Sequence, residues 1–113
     1  MTFDEYQTES KKTAIFPKED KNMNYAISYP VFGLVSEAGE VAGKVKKVIR
    51  DNGGIIDEEK KAELAGEVGD VLWYVAQLAT ELELSLDEVA QANLDKLFSR
   101  QDRGKLGGSG DDR

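Results

Sequence analysis

The sequence lacks cysteine and histidine, two residues that carry much of the metal and proton chemistry of proteins. Without cysteine there is no disulfide framework and no zinc–thiolate site. Without histidine, the commonest general base and the commonest transition-metal ligand are absent. Any catalysis by this chain must therefore use carboxylates, lysines and hydroxyl groups.

Long apolar runs are also missing. No stretch approaches the roughly 18 uninterrupted apolar residues of a membrane span. The N-terminal segment MTFDEYQTESKK lacks the apolar run preceded by basic residues that marks a secretory signal. We therefore expect a cytoplasmic protein with no membrane partner, and its 113 residues fit one domain with a modest core.

Basic side chains are outnumbered, with 15 lysines and arginines against 22 acids and a net charge of −7. Nucleic-acid binders usually carry a basic face, so a nucleic-acid partner is not expected. An acidic protein can still bind a phosphorylated small molecule when metal ions mediate the contact.

Helical periodicity dominates the chain, and no convincing alternating strand is present. Thr2 with Glu5 and Ser85 with Glu88 have the spacing of capping boxes, and Asp57 is a further candidate cap. The predicted helices run over about residues 2–12, 25 or 30 to 50, 57–83 and 85–100. Pro30 is expected either to occupy the first turn of the second helix or to kink it.

The segments between and after these helices are rich in loop-forming residues. Residues 16–24 read as a connecting loop, and the Asp-Asn-Gly-Gly sequence at 51–54 is a strong helix stop. The predicted fold is all-α, a four-helix, bundle-like single domain over residues 1–103. A flexible Gly-rich tail is expected at 104–113.

The second and third helices share the pattern Leu-x-x-Glu-x-Gly-acid-Val, as LVSEAGEV from Leu34 and LAGEVGDV from Leu64. At about 100° per residue, each acid lies beside the apolar stripe of its helix. If the two helices pack through these stripes as an antiparallel hairpin, four carboxylates converge. They are Glu37, Glu40, Glu67 and Asp70.

Four ionised carboxylates in a small space repel one another, so at least one should take up a proton unless a counter-charge is present. Mg²⁺ prefers oxygen ligands and binds phosphates alongside carboxylates, and a two-ion site is possible. Glu-x-x-Glu is also common on solvated helix faces, but two copies in matched phase favour the metal site.

Glycines accompany the acids in both copies, and each costs a helix interior about 1 kcal/mol relative to alanine. We therefore expect another backbone or a ligand to approach closely there. For Gly39 and Gly69, a tight helix crossing alone is an equally fair explanation. The glycines are Gly33, Gly39, Gly66 and Gly69.

Basic and aromatic residues near the acids have two interpretations each. Lys44 and Lys47 either neutralise triphosphate oxygens or form ion pairs with Glu40, of the i,i+4 type, on an exposed helix face. Tyr74 shares the side of the acids and is a candidate for the nucleotide pocket, whereas Trp73 is expected to point away, towards another helix or subunit. Both aromatics could equally be core residues.

On the last helix, Asn93 lies within the apolar stripe. A buried amide needs partners, because an unsatisfied one costs about 1–3 kcal/mol. Asn93 is therefore either a core link between helices or a ligand contact. Lys96 and Arg100 on the same flank favour the ligand interpretation.

Taken together, these residues resemble the MazG family of all-α nucleotide pyrophosphohydrolases. The related superfamily includes dimeric dUTPases, dCTP pyrophosphatases and phosphoribosyl-ATP pyrophosphohydrolase. The resemblance covers about residues 29–103 and rests on the segments GLVSEAGEVAGKVKK, ELAGEVGDVLWYV and NLDKLFSRQDRG. The N-terminal segment departs from any pattern that can be transferred, so Tyr6 and Gln7 are only hypotheses for the base pocket.

The resemblance implies the reaction and its participants. The four acids would bind Mg²⁺, with Mn²⁺ as a possible substitute, and a metal-bound water would attack the α-phosphorus of a nucleoside triphosphate to release pyrophosphate. Glu40 is favoured as general base because Glu37 should be more committed to metal. Deoxynucleotides are the favoured substrates, and homodimers or homotetramers are implied. The implied phosphate ligands are Lys44, Lys47, Lys96 and Arg100, with Asn93 on the sugar or base edge.

Two alternatives stay open. Within the enzyme class, the chain could be a phosphoribosyl-ATP pyrophosphohydrolase. Outside it, a non-catalytic helical interaction or regulatory protein would carry degenerate acids and would gain no stability from Mg²⁺.

Overall fold

The structure, a computed structural model, describes residues 1–19 and 24–113. The described residues form four α-helices and no strand, which confirms the all-α fold. The helices are α1 (Phe3–Lys11), α2 (Tyr25–Asp51), α3 (Glu58–Glu81) and α4 (Leu86–Asp102). Part of the predicted loop at 16–24, residues 20–23, lies outside the described residues.

The predicted caps begin three of the helices. The Thr2 capping box is present, the Asp57 side chain accepts a hydrogen bond from the Lys60 backbone, and Ser85 accepts one from Glu88. Because these signals are local, the helix bounds fall within one or two residues of the predicted ones. Because α2 begins at Tyr25, Pro30 lies inside the helix beyond its first turn, so the first-turn alternative is wrong and the kink stays a prediction.

Helices α2 and α3 form the antiparallel hairpin that the sequence predicted. Near the start of α2, Tyr29 lies beside Tyr74, with ring centroids 6.5 Å apart. Further along α2, Lys44 reaches back to Glu67, an earlier residue of α3, at 3.4 Å. Because later positions on α2 meet earlier positions on α3, the repeated acidic segments lie side by side.

Helix α1 joins α3 to α4 through polar contacts. The Gln7 amide donates to Thr80 Oγ1 and to the Leu84 carbonyl, and its oxygen accepts the Leu86 N–H. Asp4 accepts hydrogen bonds from the Ser85 hydroxyl and from the backbone N–H of α4. Within the described ranges, α4 therefore packs mainly on α1 and has little contact with α2 or with the body of α3.

The hydrophobic core of the single chain is small. Its buried apolar side chains, among the residues described, are Val48, Ala76, Ala79 and Leu86. The radius of gyration is 17.2 Å, whereas a compact chain of 100 residues has about 13 Å. The expected apolar stripes are thus only partly buried, and Val68 keeps 57% of its surface exposed. None of the described helices is both long and apolar enough to cross a membrane.

Candidate metal centre

Three of the four predicted carboxylates come together between α2 and α3. Glu37 of α2 and Glu67 and Asp70 of α3 each offer an oxygen, and these oxygens lie within 4.8 Å of one another. Glu67 and Asp70 project from the same side of α3 because they are three residues apart. Glu37 faces them because the hairpin is antiparallel. Three convergent oxygens of this kind suit a hard divalent cation.

Crowding of negative charge affects the pKa of Glu37. Its pKa is raised above the ordinary value, first by desolvation and then by the neighbouring charges of Asp70 and Glu67. A carboxylate destabilised in this way gains most from a bound cation. The direction of this shift agrees with the expectation that one of the acids takes up a proton more readily than an isolated carboxylate.

Glu40 lies outside this group of three. It is exposed, and with Glu67 it lines the groove that continues along the hairpin. Lys44 lines the same groove, and its ammonium group lies 3.4 Å from the Glu67 carboxylate across the hairpin. The alternative that Lys44 pairs with Glu40 on its own helix is thus wrong.

The groove between α2 and α3 has a volume of about 520 Å³. It is lined by both acids and bases, including Lys47 of α2 and Lys60 of α3. Lys60 was not predicted from the sequence. It stands seven residues before Glu67, two helical turns away on the same side of α3, and this spacing could have revealed it.

Aromatic side chains border the acids at the other end. Glu37, Asp70, Trp73 and Tyr74 line a smaller depression of about 290 Å³. The prediction that Tyr74 shares the acids' side is confirmed, and its pKa is raised, mainly by burial. The expectation that Trp73 points away from the acids is wrong, because Trp73 lines this depression with them; its indole N–H donates to Thr13 Oγ1 at 2.8 Å.

Phe16 is part of the same aromatic group, although sequence reasoning placed it only in a loop. Its ring stacks on Tyr29 with centroids 4.8 Å apart and nearly parallel planes, and it meets Trp73 edge-on. An aromatic residue directly before Pro17 was the one available signal. Loop 13–19 therefore covers the aromatic end of the site.

The glycines beside the acids differ in what surrounds them. At Gly33, a built side chain would collide with the ring of Tyr74, which confirms a close approach. At Gly39, Gly66 and Gly69, nothing in the described part of the chain lies within 4 Å of an added Cβ. A tight helix crossing within one chain therefore does not explain Gly39 or Gly69.

The predicted residues of α4 do not join the acids within one chain. Asn93 and Lys96 are exposed, so the expectation of a buried Asn93 amide is wrong for the single chain. The reason is that α4 packs on α1, which leaves the Asn93 side of α4 uncovered. Arg100 is 6% exposed and donates to the carbonyl of Asp111, so it reaches a phosphate only if the tail moves aside.

Tyr6 and Gln7, the two N-terminal candidates for the base pocket, have different surroundings in the structure. Tyr6 packs against the buried cluster of Ala76, Ala79 and Leu86, and its pKa is raised by burial and then by the charge of Asp70. Gln7 instead uses both ends of its amide to join α3 and α4. Gln7 is therefore a structural link, and a role of Tyr6 in the base pocket stays a prediction.

An all-α hairpin with converging carboxylates, lysines on one side and aromatics on the other belongs to the class of helical proteins whose side chains are suited to a divalent cation together with a phosphorylated ligand. The particular family follows from comparison with known proteins. The MazG nucleotide pyrophosphohydrolase domain matches residues 31–104, and the chain belongs to this family. Membership supports nucleotide pyrophosphohydrolase activity as the general activity.

A relative from Mycobacterium phage L5, named Gene 37 protein, is 51% identical over 114 residues. The match covers 100% of this chain and 100% of that protein, so the similarity extends beyond the family domain over the full length of both. Its name states no activity. No solved structure matched the chain.

Proposed function

We propose that this protein is a Mg²⁺-dependent pyrophosphohydrolase that converts nucleoside triphosphates, with deoxynucleotides favoured, to the monophosphate and pyrophosphate. The observation that carries the proposal is the convergence of Glu37, Glu67 and Asp70 oxygens within 4.8 Å of one another in a MazG-family chain. No protein cation faces Glu37 in the contacts of the described residues, whereas Lys44 reaches Glu67.

The three clustered acids would hold Mg²⁺, with Mn²⁺ as a substitute, and Glu40 would complete the set from the groove. A bound ion would supply charge neutralisation at the phosphate oxygens and increase the acidity of a coordinated water. The raised pKa of Glu37 fits this role, because a carboxylate crowded by its neighbours is stabilised when a cation arrives.

The protein's own residues would position the substrate and move the proton. Glu40, exposed and one turn beyond Glu37, is free to accept a proton from the attacking water as general base. Lys44 lies close enough to Glu67 to exchange this carboxylate for a phosphate oxygen when a cation binds.

The aromatic group supplies the surface for the base. Tyr74 and Trp73 line the depression beside Glu37 and Asp70, at the end opposite the lysines. Flat, partly exposed rings are suited to stacking on a nucleobase. Loop 13–19 and Tyr6 would shape the edges of this pocket and so contribute to the choice of base.

We also infer that the active form is a homo-oligomer, a homodimer or a homotetramer. Exposed apolar residues follow α2 and α4, and a second copy covering them would supply the core that one chain lacks. The exposed Asn93 and Lys96 of α4 would then act on a nucleotide bound to the acids of the second copy. The apolar residues are Val31, Phe32, Val35, Val89, Leu94 and Phe98.

The activity is tested by removing one clustered carboxylate. Glu67→Gln should abolish pyrophosphate release from nucleoside triphosphates while the helical circular dichroism spectrum is kept, because the amide cannot replace an anionic ligand. Mg²⁺ or Mn²⁺ should raise the melting temperature of the unaltered protein and not that of the variant. Glu59→Gln, an exposed acid on the same helix, should behave as the unaltered protein in both measurements.

Full turnover in Glu67→Gln, or in excess chelator, would refute the mechanism. Folded protein that neither releases pyrophosphate nor gains stability from either ion would favour the non-catalytic interaction protein. The substrate screen covers the common ribo- and deoxyribonucleoside triphosphates and also phosphoribosyl-ATP. A marked preference for phosphoribosyl-ATP would replace the proposed substrate class.

A further inference from the structure

The groove between α2 and α3 changes its charge along its length. Glu40 and Glu67 lie at the end next to the carboxylate cluster. Lys47 and Lys60 lie towards the end of α2 and the start of α3, and Lys44 stands between the two ends. A cation held at the acidic end would leave the rest of the groove lined by three ammonium groups.

The acids at the lysine end have partners that reduce their repulsion of an anion. Asp51 receives two hydrogen bonds from the Arg50 guanidinium, both at 2.8 Å, which lower its pKa below the ordinary value. Lys47 and Lys60 lower it further, so both ammonium groups lie within electrostatic reach of one point in the groove. Glu63 lies 3.7 Å from Lys60, a loose pair that a stronger anion can replace.

One position in the wall of the groove beside these lysines carries no side chain. Gly43 lines it one residue before Lys44, and no described atom lies within 4 Å of a Cβ added there. Any side chain at this position would project into open space beside the lysines. The groove therefore has room for a ligand next to its charged groups.

We propose that this groove binds the β- and γ-phosphates of the substrate, and that Lys60 is a phosphate-binding residue. The triphosphate would thus run from the acids towards the end of α2, with the base at the aromatic end. This inference rests on the proposed function, since it assigns the position of the leaving group in the same reaction.

The assignment accounts for where charge develops. Water oxygen forms a bond to the α-phosphorus, its proton goes to Glu40, and the bond from the α-phosphorus to the bridging oxygen breaks. The electron pair of that bond leaves with pyrophosphate. Lys44, Lys47 and Lys60 would stabilise the charge on this leaving group, because ammonium–phosphate contacts strengthen as the charge grows.

The test compares Lys60→Gln with Lys61→Gln. Lys61 is the next residue, is exposed and does not line the groove, so it controls for the loss of one positive charge. Binding of inorganic pyrophosphate to the full chain in Mg²⁺ is measured by calorimetry, and KM and kcat are measured separately. We expect Lys60→Gln to weaken pyrophosphate binding and raise KM by about fivefold to tenfold, with Lys61→Gln unchanged.

Binding of a nucleoside monophosphate separates this site from the acids. It should be the same in both variants, because the α-phosphate would lie at the carboxylate end. Equal pyrophosphate affinity in Lys60→Gln and Lys61→Gln would overturn the inference, whether or not the enzyme is active. Lys60-dependent pyrophosphate binding in a protein that cleaves no nucleotide would instead support the anion site and reject the proposed activity.

Discussion

At Gly33, the ring of Tyr74 occupies the space in which a side chain would begin. The same ring borders the depression beside Glu37 and Asp70. A glycine in α2 thus permits an aromatic residue of α3 to lie close to the helix backbone next to the acids. The cost of a glycine inside a helix, about 1 kcal/mol relative to alanine, is offset by this contact.

Alanine substitutions distinguish Gly33 from Gly39, the glycine of the acidic motif on the same helix. Gly33→Ala should lower the free energy of unfolding by about 1–3 kcal/mol, because Tyr74 must be displaced. Gly39→Ala has open space in the single chain and should raise it by up to about 1 kcal/mol. Urea unfolding of both variants gives the comparison. Equal stabilisation by the two alanines would show that Tyr74 does not need the space at Gly33.

Sequence reasoning located the acids because their phase is a local property of each helix. Glu37, Glu67 and Asp70 needed only the helical repeat and the antiparallel pairing of two neighbouring helices. Phe16 could not be placed in this way, since its position depends on how loop 13–19 folds back onto Tyr29 and Trp73. Asn93 was misplaced because an apolar stripe does not reveal which helix covers it.

Among the helices, α1 is the one that determines where α4 lies. Asp4 accepts the Ser85 hydroxyl at 2.8 Å and the Asp87 N–H at 3.0 Å, so a carboxylate of α1 sits at the N-terminus of α4. Hydrogen bonds from the Asp87 backbone and then from Ser85 lower the pKa of Asp4. Helix bounds were predictable from caps, but this long-range contact between α1 and α4 was not.

The lowered pKa of Asp4 fixes the sign of a pH effect. A carboxyl with a depressed folded-state pKa stabilises the protein above its ordinary pKa, and the stabilisation is lost as pH falls through the folded value. Asp4→Asn should therefore lower the melting temperature at neutral pH and reduce its acid dependence below about pH 4. Glu9→Gln, which removes an acid of α1 that contacts only Lys12 in the described chain, is the control.

Thermal unfolding followed across this pH range by circular dichroism makes the measurement. If Asp4→Asn and Glu9→Gln changed the acid dependence of the melting temperature equally, the hydrogen bonds from α4 to Asp4 would not be the cause of the pH effect.

For the molecule as a whole, the small core and the large radius of gyration fit the proposal that the active form contains more than one chain. Phe98 and Leu94 of α4 are 56% and 44% exposed, and Phe32 of α2 is 63% exposed. Isolated apolar residues at the surface are ordinary, but several along two helices indicate an interface. In the proposed assembly, a second copy covers them, and its α4 supplies Asn93 and Lys96 to the acids of the first.

Mixing two inactive variants tests whether α4 acts on its own chain or on its partner. In a dimer with shared sites, Glu67→Gln and Lys96→Gln each damage both sites. A mixed dimer, however, has one site with both lesions and one site with neither. Random mixing should then restore about a quarter of the unaltered activity, because half of the dimers are mixed and each has one intact site.

The control pair is Glu67→Gln mixed with Glu37→Gln, in which every site keeps one damaged set of acids and no activity should return. Light scattering of each mixture establishes the dimer mass before activity is measured. If Lys96 served the acids of its own chain, the first mixture would also stay inactive, since each chain would carry its own lesion. Restored activity in the first mixture alone would place α4 of one chain over the carboxylates of the other.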